Sequence, residues 1–320
     1  MWKYIVYRLL WLIVILVCVA ILIFTVMYFV PGDPALIAKG TESTTEERWE
    51  WREQYGLNDS YAEQLGNYLF NTFLKFDMGK SFSTNMPVMG EFVKRLPRTL
   101  KLGLITVFIN IIFGIPLGIV CALHRNTILD YILTVIAMLG MCMPAFWLAL
   151  LMQQFFSLKL GWLPSNGVGT WQHWVMPIIA ASISGIAGNV RQTRSAVLET
   201  IRADFITTAR AKGVAENSVI YKHMLPNALI PILSLMGGAF GHVISGTVIV
   251  ETVFNFPGIG MYMLNGINAR DYPVIRSCVL ILAAFSAFVV LLVDLAYGMV
   301  DPRIKAQYVS YGKKSKKEVG

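Results

Sequence analysis

Apolar residues fall into long blocks in this chain, and the polar residues collect between them. A membrane-crossing helix needs about 20 mostly apolar residues. Six stretches meet that test with unequal strength: residues 9–30, 102–123, 131–156, 175–190, 228–250 and 278–300. The first carries no charge and follows Lys3 and Arg8, as a signal peptide would. It is too long for a signal segment and no small-x-small cleavage site follows, so a retained helix is expected. The fourth is the weakest. It is short and rich in small residues (Ser182, Ser184, Gly185, Gly188) and ends in Asn189 and Arg191. Small residues let helices approach closely in lipid, which predicts an interior helix. Gly237, Gly238, Gly241 and Gly246 mark the fifth in the same way.

Two of the intervening polar segments are long. In residues 31–98, Ser43 and Glu46 fit a capping box, Glu47 adds a second acid to the first turn, and Gly56 fits a helix end. A second helix over 61–75 places Leu65, Leu69 and Phe73 on one face. In residues 194–227, a helix over 201–212 is followed by Gly213, a second helix over 214–224, and Pro226 in the first turn of the next span. A helix–Gly–helix hairpin suits docking as a rigid knob. An amphipathic loop lying on the membrane fits the same pattern.

Composition agrees with the blocks. Of 320 residues, 56% are hydrophobic and 14% charged, against about 25% charged in soluble domains. The net charge of +8 does not point to nucleic acid, because Arg303, Lys305, Lys313, Lys314, Lys316 and Lys317 crowd the last stretch and no basic, aromatic face accompanies them. With the N-terminus inside, the inner segments hold Lys3, Arg8, Arg125, Arg191, Arg194, Arg202, Arg210, Lys212, Lys222 and that tail. The two short outer loops hold Lys159, Arg270 and Arg276. The positive-inside rule then puts both termini in the cytoplasm.

Candidate chemistry within the chain is sparse. Cys18, Cys121, Cys142 and Cys278 all lie in apolar runs, without a C-x-x-C pair or a nearby histidine, so neither disulfide nor metal is expected. The histidines 124, 173, 223 and 242 are isolated, and no Gly-x-Ser-x-Gly elbow occurs, so no catalytic residue is expected. Gly79-Lys80-Ser81 matches the end of a P-loop, but Leu74 stands where the leading glycine belongs. Asp294 and Glu251 are expected at the ends of spans in interfacial roles, and Asn110 and Asn189 as hydrogen bonds between helices. Trp147, Trp162, Trp171 and Trp174 cluster as an interfacial aromatic belt would.

Thr207-Thr208-Ala209-Arg210-Ala211-Lys212-Gly213, followed by Leu225-Pro226, resembles the EAA loop of ABC importer permeases. That pattern is E-A-A, three residues, Gly, nine residues, Ile, one residue, Leu-Pro. Ala209, Gly213, Leu225 and Pro226 fall at its spacing. Thr207 and Thr208 replace Glu and Ala, and His223 replaces Ile, which leaves the usual contacts of those three positions in doubt. RADFITTARAKG resembles the peptide/nickel branch, as do PGDP (31–34), YGLND (55–59), RLPRTLKLG (95–103), LGWLPS (160–165), PGIG (257–260), RDYP (270–273) and DPR (301–303). Their order across the whole chain is similar to the first of the two permeases in dipeptide and oligopeptide importers.

The resemblance implies an all-α polytopic fold of the type I ABC importer permease, with six transmembrane helices. It implies an N-terminus and first span (1–30), an extracytoplasmic helical loop (31–98), a five-helix core (99–303) containing a coupling loop (194–227), and a basic cytoplasmic tail (304–320). Thr207, Thr208, Ala209, Arg210, Ala211, Lys212, Gly213, Leu225 and Pro226 would couple to an ATPase. Expected partners are a second homologous permease, two ATP-binding subunits that bind ATP and Mg, an extracytoplasmic substrate-binding lipoprotein and the bilayer of a bacterial-type inner membrane, with no nucleic acid and no cofactor in this chain. The implied cargo is di- or oligopeptide, with nickel chelates or glutathione as alternatives in the same branch. Outside it, a secondary transporter remains the alternative class.

Overall fold

The computed structural model describes residues 2–229, 232 and 247–300. Most of the predicted fifth span, with its four glycines, lies outside them, as do the side chain of Asp294 and the tail with its DPR segment. Among the described residues the structure is helical, with one isolated antiparallel bridge between Lys80 and Pro87. Four helices are long and apolar enough to cross a membrane, and one bent pair makes up to five. The count of six predicted from the sequence is therefore not reached within the described residues.

The first predicted span is α1 (Trp2–Phe29). Its side chains are mostly exposed, from Tyr7, Leu10 and Trp11 to Phe29, which is how a helix facing lipid presents itself. Two short polar helices follow. In α2 (Pro34–Lys39), Asp33 caps Ala35 N–H at 2.9 Å and Pro34 takes the position where a missing N–H is harmless. In α3 (Thr45–Gln54) the capping box is Thr44 with Glu47, one residue beyond the Ser43–Glu46 pair predicted. Ser43 instead bonds back to Gly40 O, so Thr44 is the residue left facing the helix N-terminus. The chain leaves α3 through Gly56 at φ +65°. The next helix, α4 (Tyr61–Phe73), carries a second capping box, Ser60 with Glu63. Leu65, Leu69 and Phe73 are partly buried, as the spacing predicts.

The second predicted span begins earlier than its apolar run, as α5 (Val88–Leu123). The third is not one straight helix: α6 (Ile128–Cys142) and α7 (Ala145–Met152), which continues as a π-helical turn Gln153–Lys159, meet at 98°. Pro144 is the cause. It lacks the N–H that a continuous helix needs and disfavours a helical Met143, whose φ −74° and ψ 120° are extended. The fourth is α8 (Gln172–Thr200), ten residues longer at its C-terminal end than the apolar signal at 175–190. Short helices α9 (Asp204–Ala211) and α10 (Glu216–Ser218) follow, then a π-helical turn Val219–Met224. After the undescribed stretch come α11 (Ile259–Asn268) and α12 (Tyr272–Val300).

The described residues form two compact units. The first takes the chain up to Thr99 together with Pro257–Phe288; the second takes the described residues from Leu100 to Phe256 and from Val289 onward. In the first unit, Phe24 and Tyr28 of α1 pack on Tyr61 and Tyr68 of α4. Val88, Phe92, Ile259, Val274 and Cys278 form its apolar core. Asp271, buried at the start of α12, accepts hydrogen bonds from Ser81 Oγ at 2.6 Å, Ser83 Oγ at 2.9 Å and Ser83 N–H at 3.1 Å. The segment that mimics a P-loop is thus a turn clamped by a carboxylate, the opposite charge environment to a phosphate cradle.

In the second unit α8 is central, as its small residues predict. A Cβ on Gly114 of α5 would lie 2.5 Å from Asn189 Cβ, and one on Gly118 would lie 2.6 Å from Thr193 Cβ. Only glycine permits that approach. Asn189 Nδ2 donates to Asn110 O at 3.1 Å across the same seam, the interhelical role expected of the pair. Both arms of the bent pair pack on α8: Ala137 with Ala187 and Val190, and Ala149 and Met152 with Met176 and Ala180. Glu251, expected at the end of a span, is 0% exposed, on a helical turn whose Val250 and Phe254 pack into the apolar core of this unit.

Candidate coupling hairpin

The element singled out by the sequence is the loop over residues 194–227, whose hairpin begins at residue 201. Helix α8 runs to Thr200, Ala203 is extended, and α9 begins at Asp204, three residues later than the predicted start. Helix α9 ends in a Schellman motif: Gly213 N–H donates to Arg210 O at 2.9 Å and Val214 N–H to Ala209 O at 3.3 Å. Gly213 has φ +76°, the left-handed conformation this motif requires. The second limb starts at Glu216, two residues later than predicted, and continues through the π-helical turn into residues 225–229.

The hairpin has an inner and an outer face. Ile206 and Ala209 of α9, with Val219 and Met224 of the second limb, bury against Ala122 of α5, Ala196 and Val197 of α8, and Ala228 and Ile232. A spacing of three is one face of α9, and a spacing of five is one face of the π-helical turn Val219–Met224. Thr207, Thr208, Arg210, Ala211, Lys212, Gly213 and Pro226 are exposed, and Leu225 is partly buried. The nine residues predicted to couple therefore divide: Ala209 and Leu225 hold the hairpin to its own bundle, and the others face outward. Thr208 Oγ1 turns back onto Asp204 O at 2.8 Å. His223, at the position of the family isoleucine, is exposed.

Electrostatics close the open end of the hairpin. Arg210 grips Glu216 with two bonds, Nε to Oε2 at 3.1 Å and a terminal nitrogen to Oε1 at 2.5 Å. The Arg210 hydrogen bond holds the Glu216 carboxyl below its ordinary value. Both groups are exposed, so the pair orients the turn more than it stabilises the fold.

Two features of the site escaped sequence reading. Phe205 (46% exposed) and Tyr221 (68% exposed) present one aromatic on each limb. Their placement on the outer face became visible only once Ile206 and Ala209 were known to point inward. The other is Asp130, buried in the first turn of α6. Arg194 of α8 holds it with two bonds of 2.7 Å, and Asn126 N–H adds a third at 3.1 Å. This pair fixes α8 to α6 less than two turns before the hairpin begins. An Asp three residues after a Thr N-cap was the available signal.

Helices long and apolar enough to cross a membrane, in this order and with this hairpin between them, give the chain the fold of a type I ABC importer permease. Solved structures agree on the fold. An inward-facing MetNI methionine ABC transporter aligns with a TM-score of 0.58 at 19% identity, covering 67% of this chain and 98% of that one. An amino acid ABC transporter with histidines aligns at 0.50 and 18% identity, covering 67% and 94%. Residues 114–306 match the family described as the binding-protein-dependent transport system inner membrane component, and residues 1–103 match its N-terminal counterpart. Curated relatives include the dipeptide transport system permease protein DppB of Alkalihalophilus pseudofirmus, 38% identical over 93% of this chain and 98% of its own length. The glutathione transport system permease protein GsiC is 37% identical in Escherichia coli strain K12, over 95% of this chain and 99% of its own length. The chain belongs to the binding-protein-dependent transport permeases, in the peptide/nickel branch of ABC importers, and is a multi-pass membrane protein.

Proposed function

We propose that this permease forms half of the pathway through which an ATP-driven importer moves di- and oligopeptides across a bacterial inner membrane. The outer face of residues 201–226 docks in a groove of an ATP-binding subunit, which supplies ATP and Mg; this chain supplies no catalysis. Residues 31–98 receive an extracytoplasmic binding protein, residues 99–303 form the core beside a second permease, and both termini are cytoplasmic, in keeping with the basic tail 304–320. The observation that carries this reading is the hairpin itself. It is locked at its turn by Gly213, anchored by an apolar inner face, and left with Thr207, Arg210, Phe205 and Tyr221 uncovered. A buried anchor with an exposed polar and aromatic crown suits a protein groove better than lipid, which would take the apolar face.

A peptide cargo is supported by relatives named for dipeptide and for glutathione, which is itself a small peptide. Glutathione uptake is therefore the second reading. The test is mild-detergent purification from native membranes with every co-purifying chain identified by mass spectrometry. A second permease and one or two ATPases are the expected result, with ATP-dependent uptake of labelled dipeptide into vesicles. Recovery of the chain alone across several detergents, with uptake driven by a proton gradient, overturns it in favour of a secondary transporter.

A further inference from the structure

Arg276 lies in the second turn of α12, where the sequence predicts only a basic residue of an outer loop. Its guanidinium sits 5.1 Å from the ring centroids of Phe24 and Tyr68 and 6.0 Å from that of Tyr272. Nε donates to Tyr272 O at 3.3 Å. Among the described residues its terminal nitrogens meet no acceptor, and no carboxylate lies at ion-pair distance. The nearby acids are engaged elsewhere: Arg52 holds Asp33 with contacts of 3.0 and 2.6 Å, and the two serines hold Asp271. Ring faces attract a cation but do not accept its N–H fork, so the planar donors remain available. Beside it, the Tyr68 hydroxyl is buried, with Thr72 as its one polar neighbour on α4 and no well-formed hydrogen bond. A guanidinium whose terminal nitrogens open on a cavity, beside a buried hydroxyl, calls for an acceptor.

Both groups line a cavity of about 360 Å³, and Arg276 also lines an adjoining one of about 320 Å³. The wall of the first carries Asp59, Asp77 and Lys80 among the amides Gln54, Asn67 and Asn71. Asp77 caps Gly79 N–H with one oxygen. Two carboxylates in the wall disfavour a multiply charged anion such as phosphate. They favour a ligand with a carboxylate at one end and an ammonium at the other.

We propose that this cavity binds a short zwitterionic peptide, with Arg276 and the Tyr68 hydroxyl taking its carboxylate and Asp59 and Asp77 facing its ammonium. The inference rests on the peptide-importer reading and adds a contact site for the cargo on the permease itself.

The test uses the full-length chain with its native partners, in phosphatidylcholine nanodiscs and without binding protein. Dialanine and dialanine amide are titrated by calorimetry, and ATP-dependent uptake of both is measured separately in vesicles with the binding protein supplied. Native protein is expected to bind the acid at least about tenfold more tightly than the amide, the scale of charge-assisted hydrogen bonds. Arg276→Gln should abolish that preference, and binding of the amide, which needs no guanidinium, should persist as the check that the variant is folded. Arg276→Lys, which keeps the charge and loses the fork, should retain a preference but bind the acid several-fold more weakly. Equal binding of acid and amide by native protein, or an unchanged preference in both variants, overturns the proposal. So does displacement of dialanine when phosphatidylglycerol replaces phosphatidylcholine, which assigns the guanidinium to a lipid headgroup. Loss of all dipeptide uptake by native protein would instead sink the importer reading, whereas normal uptake with no acid preference sinks only this site.

Discussion

Gly213 acts through its backbone rather than its size. Nothing lies within 4 Å of where its Cβ would be, so a side chain there has room. Its φ of +76° is the constraint, costing a non-glycine residue about 1–2 kcal/mol. Gly213→Val is therefore expected to loosen the turn and uncouple ATP hydrolysis from uptake, with the spans still assembled. Gly213→Asn, which tolerates the left-handed region, should keep most of the coupling. Comparing stimulated ATPase with uptake for both variants checks this, and full coupling in the valine variant would remove the role from Gly213. Asp130 makes the opposite case, where the side chain is everything. Asp130→Asn strips the charge from two 2.7 Å bonds and should cost about 1–3 kcal/mol. Exchanging the charges, Asp130→Arg with Arg194→Asp, should not restore the melting temperature. The Asn126 N–H and the N-terminal end of α6 also face position 130, and both favour an anion. Restoration to the native value would show that only the pairing matters.

At the scale of elements, caps and prolines set where helices start and bend. Thr44 with Glu47 and Ser60 with Glu63 start α3 and α4, and Pro144 divides what reads as one apolar run into α6 and α7. Helices α2 and α3 are tied by the Asp33–Arg52 pair. Burial works to raise the Asp33 pKa, but the Arg52 and Ala35 hydrogen bonds outweigh it and hold the carboxyl below its ordinary value. A depressed carboxylate stabilises the fold above its unfolded pKa of about 4 and loses that contribution as pH falls through the folded value. The α2–α3 segment should accordingly keep its amide protection from pH 7 to about 5 and open below about pH 4. The loss is roughly 1 kcal/mol, since Arg52 is partly solvated. Asp33→Asn should show weaker protection with a smaller change over that range, the remainder coming from Glu47 of the α3 capping box, which the Thr44 hydrogen bonds hold below its ordinary value. A native profile that is flat down to pH 3 would contradict the assignment.

For the whole molecule, the polar segment between α1 and α5 is not a free loop. Its helix α4 packs on α1 through aromatic rings, and its turn at Ser81 is clamped by Asp271, the residue before α12. Helix α3 contributes Trp51 to a ring cluster with Tyr55, Phe82 and Tyr272. A binding protein would thus meet a preformed surface. Deleting residues 44–55 should abolish binding-protein docking while leaving the four long apolar helices inserted, as judged by pull-down and by accessibility of engineered cysteines. Undiminished docking would make α3 a cover for the cavity beneath it instead.

Hydrophobic blocks, caps and the placement of Gly213 are local properties, and local properties survive in the linear chain. The sequence alone therefore located four long apolar helices, two of the three helices between α1 and α5 to within two residues, the hairpin turn and, through its ordered motifs, the permease family. It did not reveal the bend at Pro144 as a bend, because an apolar run reads the same whether or not lipid-length continuity is broken within it. Nor did it reveal which hairpin residues point inward, that Glu251 is fully covered, or that Asp130 meets Arg194 and Ser81 meets Asp271. Each of those pairings joins residues far apart in the chain. Only the packing of helices against one another brings the partners within hydrogen-bond reach, and only that packing decides which polar side chain is covered and which faces a cavity.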